Sequence, residues 1–262
     1  VHMKQITSNQ NEALKHLSKL LSQAKARREH GQAVLEGVHL LDAFLNVGGV
    51  PLQVFVPESK WAQAEIQALL AQIDGRRVSV VSHAALSKIT SLTDAEDIMT
   101  LIAIPTDCEL PKTGDCVVLE RVQDPGNMGT ILRSAAASGV RQLVLSSDCV
   151  DIWSPKVLRA GMGAHFLLKI SHCVDLTAWR AAYQQPVWAT ALSETNNYDL
   201  YQLDLSAPCA WILGNEGCGV SQVMQEIATG TVKIPMLGAT ESLNVAMAAT
   251  VCLFEQMRQR LL

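Results

Sequence analysis

Three short stretches of the chain gather glycines and polar side chains where a ligand can be held. The first, residues 118–139, reads VLERVQDPGNMGTILRSAAASG. An apolar strand ends, DPGN turns the chain, and a helix opens with Asn127 or Thr130 near its N-cap. Backbone N–H groups at such a helix start can hold an anion, and Arg133 follows one or two turns later. The second, WILGNEGCGVS at 211–221, runs a buried strand into Gly214, Asn215, Glu216 and Gly217, then Gly219, with Ser221 suited to cap the next helix. Glycines packed this densely let a ligand approach the backbone closely. The third, IPMLGATESLNVAMAA at 234–249, follows a strand with a loop and sets Ser242 and Asn244 at the start of the last helix. Taken singly, each stretch also has a plain structural reading: a helix start with an alanine-rich packing face, a tight βα turn, and an N-cap.

Other chemistries find less support. The glycine loop has neither the GK[ST] of a phosphate-binding P-loop nor the GxGxxG of a dinucleotide site. No HExxH or other metal-ligand spacing occurs among the histidines, so no metal is expected. GxSxG is absent, which leaves an esterase elbow unsupported. The cysteines at 108, 116, 149, 173, 209, 218 and 252 are scattered without a CxxC. Reduced thiols in a cytosol fit better than a disulfide framework. Cys218 has no evident histidine partner. His165, at the start of a predicted strand, reads as a packed or surface residue rather than a base.

The elements that must position these residues follow from composition and periodicity. A chain of 262 residues makes one large domain or two ordinary ones, and 48% hydrophobic against 18% charged residues excludes wholesale disorder. A net charge of −4 argues against nucleic-acid binding by global charge, though not against a local basic patch. Such a patch occurs in an amphipathic helix predicted over 9–28. Leu14, Leu17, Leu20 and Leu21 form its apolar stripe, while Lys15, Lys19, Lys25, Arg27 and Arg28 are candidate nucleic-acid contacts or simply a solvated face. A second helix is predicted over 35–47, then strands near 52–56, 78–81 and 99–104 and a helix near 60–72. These make a small α/β domain, 1–105.

A proline-containing linker, 106–114, leads to a second domain, 115–262. Unalternating apolar runs at 116–119, 143–145, 166–170, 187–191, 211–213 and 232–234 read as buried parallel strands. Helices are predicted between them at 128–138, 154–160, 175–184 and 220–228, with a last one over 243–261. This is a doubly wound, mostly parallel sheet, whose ligands bind outside the carboxyl ends of the strands. The most apolar run, 243–254, is too short to span a bilayer, so no membrane segment is expected. The start, VHMKQITSNQ, lacks the apolar core of a signal peptide, and Met3 is the expected natural start.

In this order and at these spacings, the three stretches resemble the signature motifs of the SpoU/TrmH family of RNA ribose 2′-O-methyltransferases. Asn-x-Gly-x-x-x-Arg corresponds to Asn127, Gly129 and Arg133. Gly-x-Glu-x-x-Gly corresponds to Gly214, Glu216 and Gly219. Ile-Pro-Met followed by Ser-Leu-Asn corresponds to Ile234, Pro235, Met236, Ser242, Leu243 and Asn244. VLEGVHLL at 34–41 is similar to part of the N-terminal RNA-binding domain that many members carry. His39 stands where members commonly have an arginine, and Gly161 where a serine is frequent.

The resemblance implies a trefoil-knotted, mostly parallel α/β domain flanked by helices, preceded by a smaller α/β RNA-binding domain. It implies S-adenosylmethionine as methyl donor, held by Gly214, Ile234 and Leu243 together with Leu213 and Met236. It implies a catalytic and RNA-facing cluster of Asn127, Arg133, Glu216, Ser242 and Asn244, with Glu216 holding Arg133 or shaping the pocket. The family's proposed base is the arginine matched by Arg133. A guanidinium stays protonated in ordinary sites, so a clamp on phosphate and developing alkoxide is the more conservative role. A cytoplasmic homodimer acting on ribosomal RNA follows, since the separate N-terminal domain favours that target. The alternatives are a transfer-RNA 2′-O-methyltransferase, an RNA-binding protein with a non-catalytic donor site, and an unrelated nucleotide-binding oxidoreductase, the last weakened by the missing GxGxxG.

Overall fold

The computed structural model describes residues 3–87, 89, 97–106, 109–191 and 196–262, and divides into two compact units. Unit 1 comprises residues 1–106 and 151–166, and unit 2 comprises 107–150 and 167–262. Val1, His2 and two residues of the expected linker, Asp107 and Cys108, lie outside the described residues.

Unit 1 begins with a short strand the periodicity did not reveal, β1 (Lys4–Ile6). The expected helix over 9–28 is two helices, α1 (Glu12–Ser22) and α2 (Ala24–His30), broken at the extended Gln23. Its four leucines are buried as the stripe predicts. The expected helix over 35–47 also divides, into β2 (Gln32–Glu36) and α3 (Val38–Asn46). Gly37 separates them at φ +102°, a backbone state open to glycine. Then come β3 (Gln53–Pro57), α4 (Ala64–Leu70), β4 (Val78–Val81), α5 (His83–Leu86) and β5 (Met99–Ala103). The sheet order is β1-β4-β3-β5-β2, with β5 antiparallel to both neighbours. The helix Pro155–Gly161 belongs to this unit although the sequence pattern assigned it to the second domain.

Unit 2 runs β6 (Cys116–Leu119), α6 (Pro125–Ser138) and β7 (Gln142–Ser146), then, beyond α7 (Pro155–Gly161), β8 (Lys169–Val174) and α8 (Leu176–Ala182). It continues with β9 (Val187–Thr190), the unforeseen β10 (Asn197–Asp199), β11 (Ala210–Leu213), α9 (Gln222–Ile227), β12 (Gly230–Lys233) and α10 (Val245–Arg260). The seven strands lie in the order β10-β12-β9-β11-β6-β7-β8, every pair parallel. Full burial of β6 and β11 explains their unbroken apolar runs. The strand expected over 166–170 begins only at Lys169, because Ala164–Leu167 form a single tight turn. His165 sits in that turn, nearly fully buried, with Nε2 on the Ile152 carbonyl at 2.6 Å. Burial pushes its pKa down to about 4 and keeps the ring neutral.

Candidate functional site

The strand ends of β6, β11 and β12 deliver the three polar stretches to one edge of the unit 2 sheet. Each loop is built differently. After β6, the side chain of Asp124 caps α6 by accepting from Asn127 N at 2.8 Å, and Pro125 fills the first turn. The cap is therefore Asp124, not Asn127 or Thr130, as an Asp before Pro signals. This frees the Asn127 side chain for longer contacts.

After β11, Asn215 organises the glycine loop. Its Oδ1 accepts from Gly217 N and Cys218 N at 2.9 and 3.0 Å, its Nδ2 donates to the Arg121 carbonyl at 2.9 Å, and its backbone pairs with Gly219 in both directions. Gly219 closes the loop at φ +70°. A Cβ on Gly214 would lie 2.2 Å from the Gly219 carbonyl carbon, so this position admits no side chain. The loop's far end is tied by Ser221, whose N and Oγ both donate to the Glu120 carboxylate at 2.7 Å. Asp124, Asn215 and Glu120 were not singled out as site residues from the sequence. An Asn in a glycine turn is a local signal for such an Asx bond, whereas Glu120 carries none.

Glu216, Asn127 and Asn244 meet in one chain of hydrogen bonds. The Glu216 carboxylate accepts from Asp124 N at 2.8 Å and from Gln123 N at 3.1 Å, with Asn127 Nδ2 at 3.5 Å. Asn127 Oδ1 accepts from Asn244 Nδ2 at 2.9 Å, and Asn244 Oδ1 caps α10 through Ala246 N and Met247 N. Partial burial alone would raise the Glu216 pKa. The backbone donors of Asp124, Glu216 itself and Gln123, with the Asn127 amide, outweigh it and hold the pKa below the ordinary range. Arg133 takes no part. It lies six residues beyond Asn127, about 240° around α6 and ~9 Å along it. It is exposed and, among the described residues, has no hydrogen-bond or ionic partner. Of the two roles the resemblance implied for Glu216, a contact with Arg133 is not made among the described residues; Glu216 instead clamps Gln123 and Asp124 and lines the adjacent cleft. Ser242 is exposed beside this cluster and lines the cleft described next.

A cleft of about 360 Å³ opens outside the carboxyl ends of β9, β11 and β12. Gly214, Ile234, Met236 and Leu243 line it, as do Thr190 and Ala191, which the sequence did not single out. Leu213 does not line it; this side chain is fully buried in β11, because only the next residue emerges from the sheet. Met236 and Leu243 stay 37% and 41% exposed, so the cleft offers apolar walls beside loop backbone. That is the form of a small-molecule site with a few polar groups. Among the described residues no group of His, Cys, Asp and Glu has the geometry to hold a metal ion.

The basic stripe is only partly at the surface. Lys15, Lys19, Lys25 and Arg28 are exposed, and Lys15 and Lys25 pair with Glu12 and Glu29. Arg27 is buried, with Nε on Asp151 at 2.7 Å and Nη1 on the Leu20 carbonyl at 2.5 Å. The helix break at Gln23 frees that carbonyl, and Arg27 fills the need. It is a structural cation, not a surface contact. His39 is exposed, with Nε2 3.1 Å from the Met162 carbonyl.

Fold and site together define a class: a parallel α/β domain with a nucleoside-sized cleft and an amide–carboxylate chain at its carboxyl edge. The chain belongs to the SpoU rRNA methylase family, whose family model matches residues 115–254. A second one, the MRM3-like substrate binding domain, matches residues 11–100. An uncharacterised tRNA/rRNA methyltransferase of Synechocystis is 36% identical, covering 97% of this chain and 94% of its own. The 23S rRNA (guanosine(2553)-2′-O)-methyltransferase of Bacillus subtilis is 29% identical, covering 96% and 98%. Among solved structures, the AdoMet-bound rRNA methyltransferase from Sinorhizobium meliloti superposes with a TM-score of 0.84 at 29% identity, covering 98% of both chains.

Proposed function

We propose that the protein transfers a methyl group from S-adenosylmethionine to a ribose 2′-hydroxyl of ribosomal RNA. The observation that carries this reading is the Asn244–Asn127–Glu216 chain, which joins all three motif loops beside the cleft. The cleft fits the donor: Leu243, Ile234 and Met236 offer walls for an adenine, and the loop following Gly214 offers backbone polar groups. When bound, the donor supplies an electrophilic methyl on a sulfonium. The protein's part is to align the 2′-oxygen with that methyl and to favour loss of the hydroxyl proton.

Asn127 and Asn244, oriented by Glu216, hold the loops that frame the acceptor. Ser242 offers a hydroxyl at the cleft rim. Arg133, with its fork unengaged, clamps the phosphate next to the target ribose and stabilises the developing alkoxide. Because Arg133 makes no hydrogen bond or ion pair with the cluster of its own chain among the described residues, the reading includes a homodimer in which each Arg133 serves the partner's site. Met247 and Phe254, one heptad apart on α10 and 54% and 37% exposed, form an apolar strip suited to that contact. The trefoil knot and a cytoplasmic location belong to the same reading. Among the described residues no helix is long and apolar enough to cross a membrane. Lys19 and Arg28 are the basic-stripe residues best placed to meet RNA phosphates.

Titration calorimetry with S-adenosylmethionine and its demethylated product tests the donor site, and tritium transfer into ribosomal RNA tests the reaction. Near one donor site per chain together with a 2′-O-methyl mark is expected. Stoichiometric donor binding without transfer to any ribosomal RNA would overturn the substrate assignment.

A further inference from the structure

A second cavity, of about 310 Å³, lies on the other flank of the same sheet edge, outside the carboxyl ends of β6, β7 and β8. Arg121 lines it and is unusual in two respects. Its backbone is left-handed at φ +56°, costly for a residue with a Cβ. The conformation is held from both sides: Arg121 N donates to Ser146 Oγ at 3.0 Å and its carbonyl accepts from Asn215. Its Nε is buried with no acceptor among the described residues. Its guanidinium lines an open cavity without a hydrogen-bond or ionic partner among the described residues, which leaves its fork available to an acceptor from outside. On the wall of the same cavity, Ser146 Oγ donates to Asp148 Oδ1 at 2.6 Å, and the remainder of the exposed Asp148 carboxylate is open. Glu120 also lines the cavity, with both oxygens taken by Ser221. Val174, Leu176 and Val223 supply apolar wall, with Val223 56% exposed.

This combination selects among ligand chemistries. Two carboxylates against one guanidinium disfavour a phosphate. An unpaired arginine also disfavours a cation. What fits is a neutral planar group that offers adjacent acceptors to the arginine fork and N–H donors to a carboxylate. Among nucleobases guanine has that pair, O6 with N7 for arginine and N1–H with the 2-amino group for aspartate. Sequence-specific RNA recognition uses unstacked bases held in this way. We propose that the Arg121–Asp148 cavity receives an unstacked guanine of the substrate RNA and contributes to choice of target. The proposal rests on the reading of the substrate as RNA.

The test uses the full chain saturated with S-adenosylhomocysteine, so that the donor cleft is filled, and ligand-observed NMR with millimolar guanosine, adenosine, cytidine and uridine. Guanosine is expected to show saturation transfer well above the other three. Arg121→Gly, which keeps the left-handed backbone while removing the fork, should lower guanosine affinity at least about tenfold, as should Asp148→Asn. Neither variant should alter S-adenosylhomocysteine affinity or lower the unfolding midpoint, and Arg121→Gly, which relieves the left-handed strain, should hold or raise it. Equal signals from all four nucleosides would overturn the proposal, as would guanosine binding that ignores both variants. Displacement of guanosine by inorganic phosphate would do the same and mark an anion site. The wild-type S-adenosylhomocysteine titration reads the methyltransferase assignment separately. Its failure leaves the dependence on Arg121 to decide this cavity alone.

Discussion

Replacing Glu216 by Gln removes a charge without changing shape, and the consequences can be worked from the contacts. The carboxylate accepts from Asp124 N at 2.8 Å, from Gln123 N at 3.1 and 3.2 Å, and from Asn127 Nδ2 at 3.5 Å. A glutamine keeps one oxygen and presents an NH2 to at least one of these donors. Hydrogen bonds to a charged acceptor contribute about 1.5–3 kcal/mol, and partial exposure places this clamp at the lower end. A positional loss of that size lowers kcat/KM for methyl transfer about tenfold. The fold should persist, since Glu216 is exposed and outside the core.

The assay is tritium transfer from S-adenosylmethionine into ribosomal RNA, with S-adenosylhomocysteine affinity measured in parallel. Donor affinity should fall less than turnover, because Glu216 lines the cleft but its hydrogen bonds hold the loop before α6. Since the Glu216 pKa lies below the ordinary range, the clamp is complete at neutral pH and is lost only as pH falls through that lowered pKa. The wild-type profile should therefore show no Glu216 limb above about pH 5. A Gln variant with kcat/KM within twofold of wild type would falsify the positioning role.

Further outcomes are expected. Arg133→Lys keeps the charge but loses the fork, so turnover should fall while donor affinity holds; full turnover would show that fork geometry is irrelevant. Gly214→Ala places a Cβ 2.2 Å from the Gly219 backbone and should abolish donor binding in calorimetry. Arg27→Gln leaves the half-buried Asp151 without its ion-pair partner and should cost about 2 kcal/mol in urea unfolding, with the salt slope of RNA binding unchanged. Lys19→Gln with Arg28→Gln should lower that slope and spare stability. His165, near pKa 4 in the fold against an ordinary 6.5, stays neutral where the unfolded chain is protonated. Stability should fall by up to about 3 kcal/mol as pH drops from 6.5 towards 4, a slope His165→Gln should flatten.

What could be read from the residues was whatever depends on local pattern. The runs at 116–119 and 211–213 emerge as strands because burial on both faces leaves no alternation to confuse them. The leucine stripe of the first helix was legible for the same local reason, whereas Gly214, Ile234, Met236 and Leu243, which line the cleft, were marked for the donor only by the motif resemblance. The two short edge strands β1 and β10 were not legible, since three residues carry no period and pairing alone makes them strands.

Charge told least. Arg27 looks like its neighbours in the sequence, yet a helix break and Asp151, far along the chain, turn it inward. Glu216 was legible as a motif residue, but its partners were not. Whether it met Arg133 or two backbone N–H groups depended on how the loops after β6 and β11 approach one another. Sequence determined which side chains are available and on which element. Only the tertiary structure decided which of them meet, because a hydrogen bond depends on a few tenths of an ångström between segments that are about 90 residues apart in the chain.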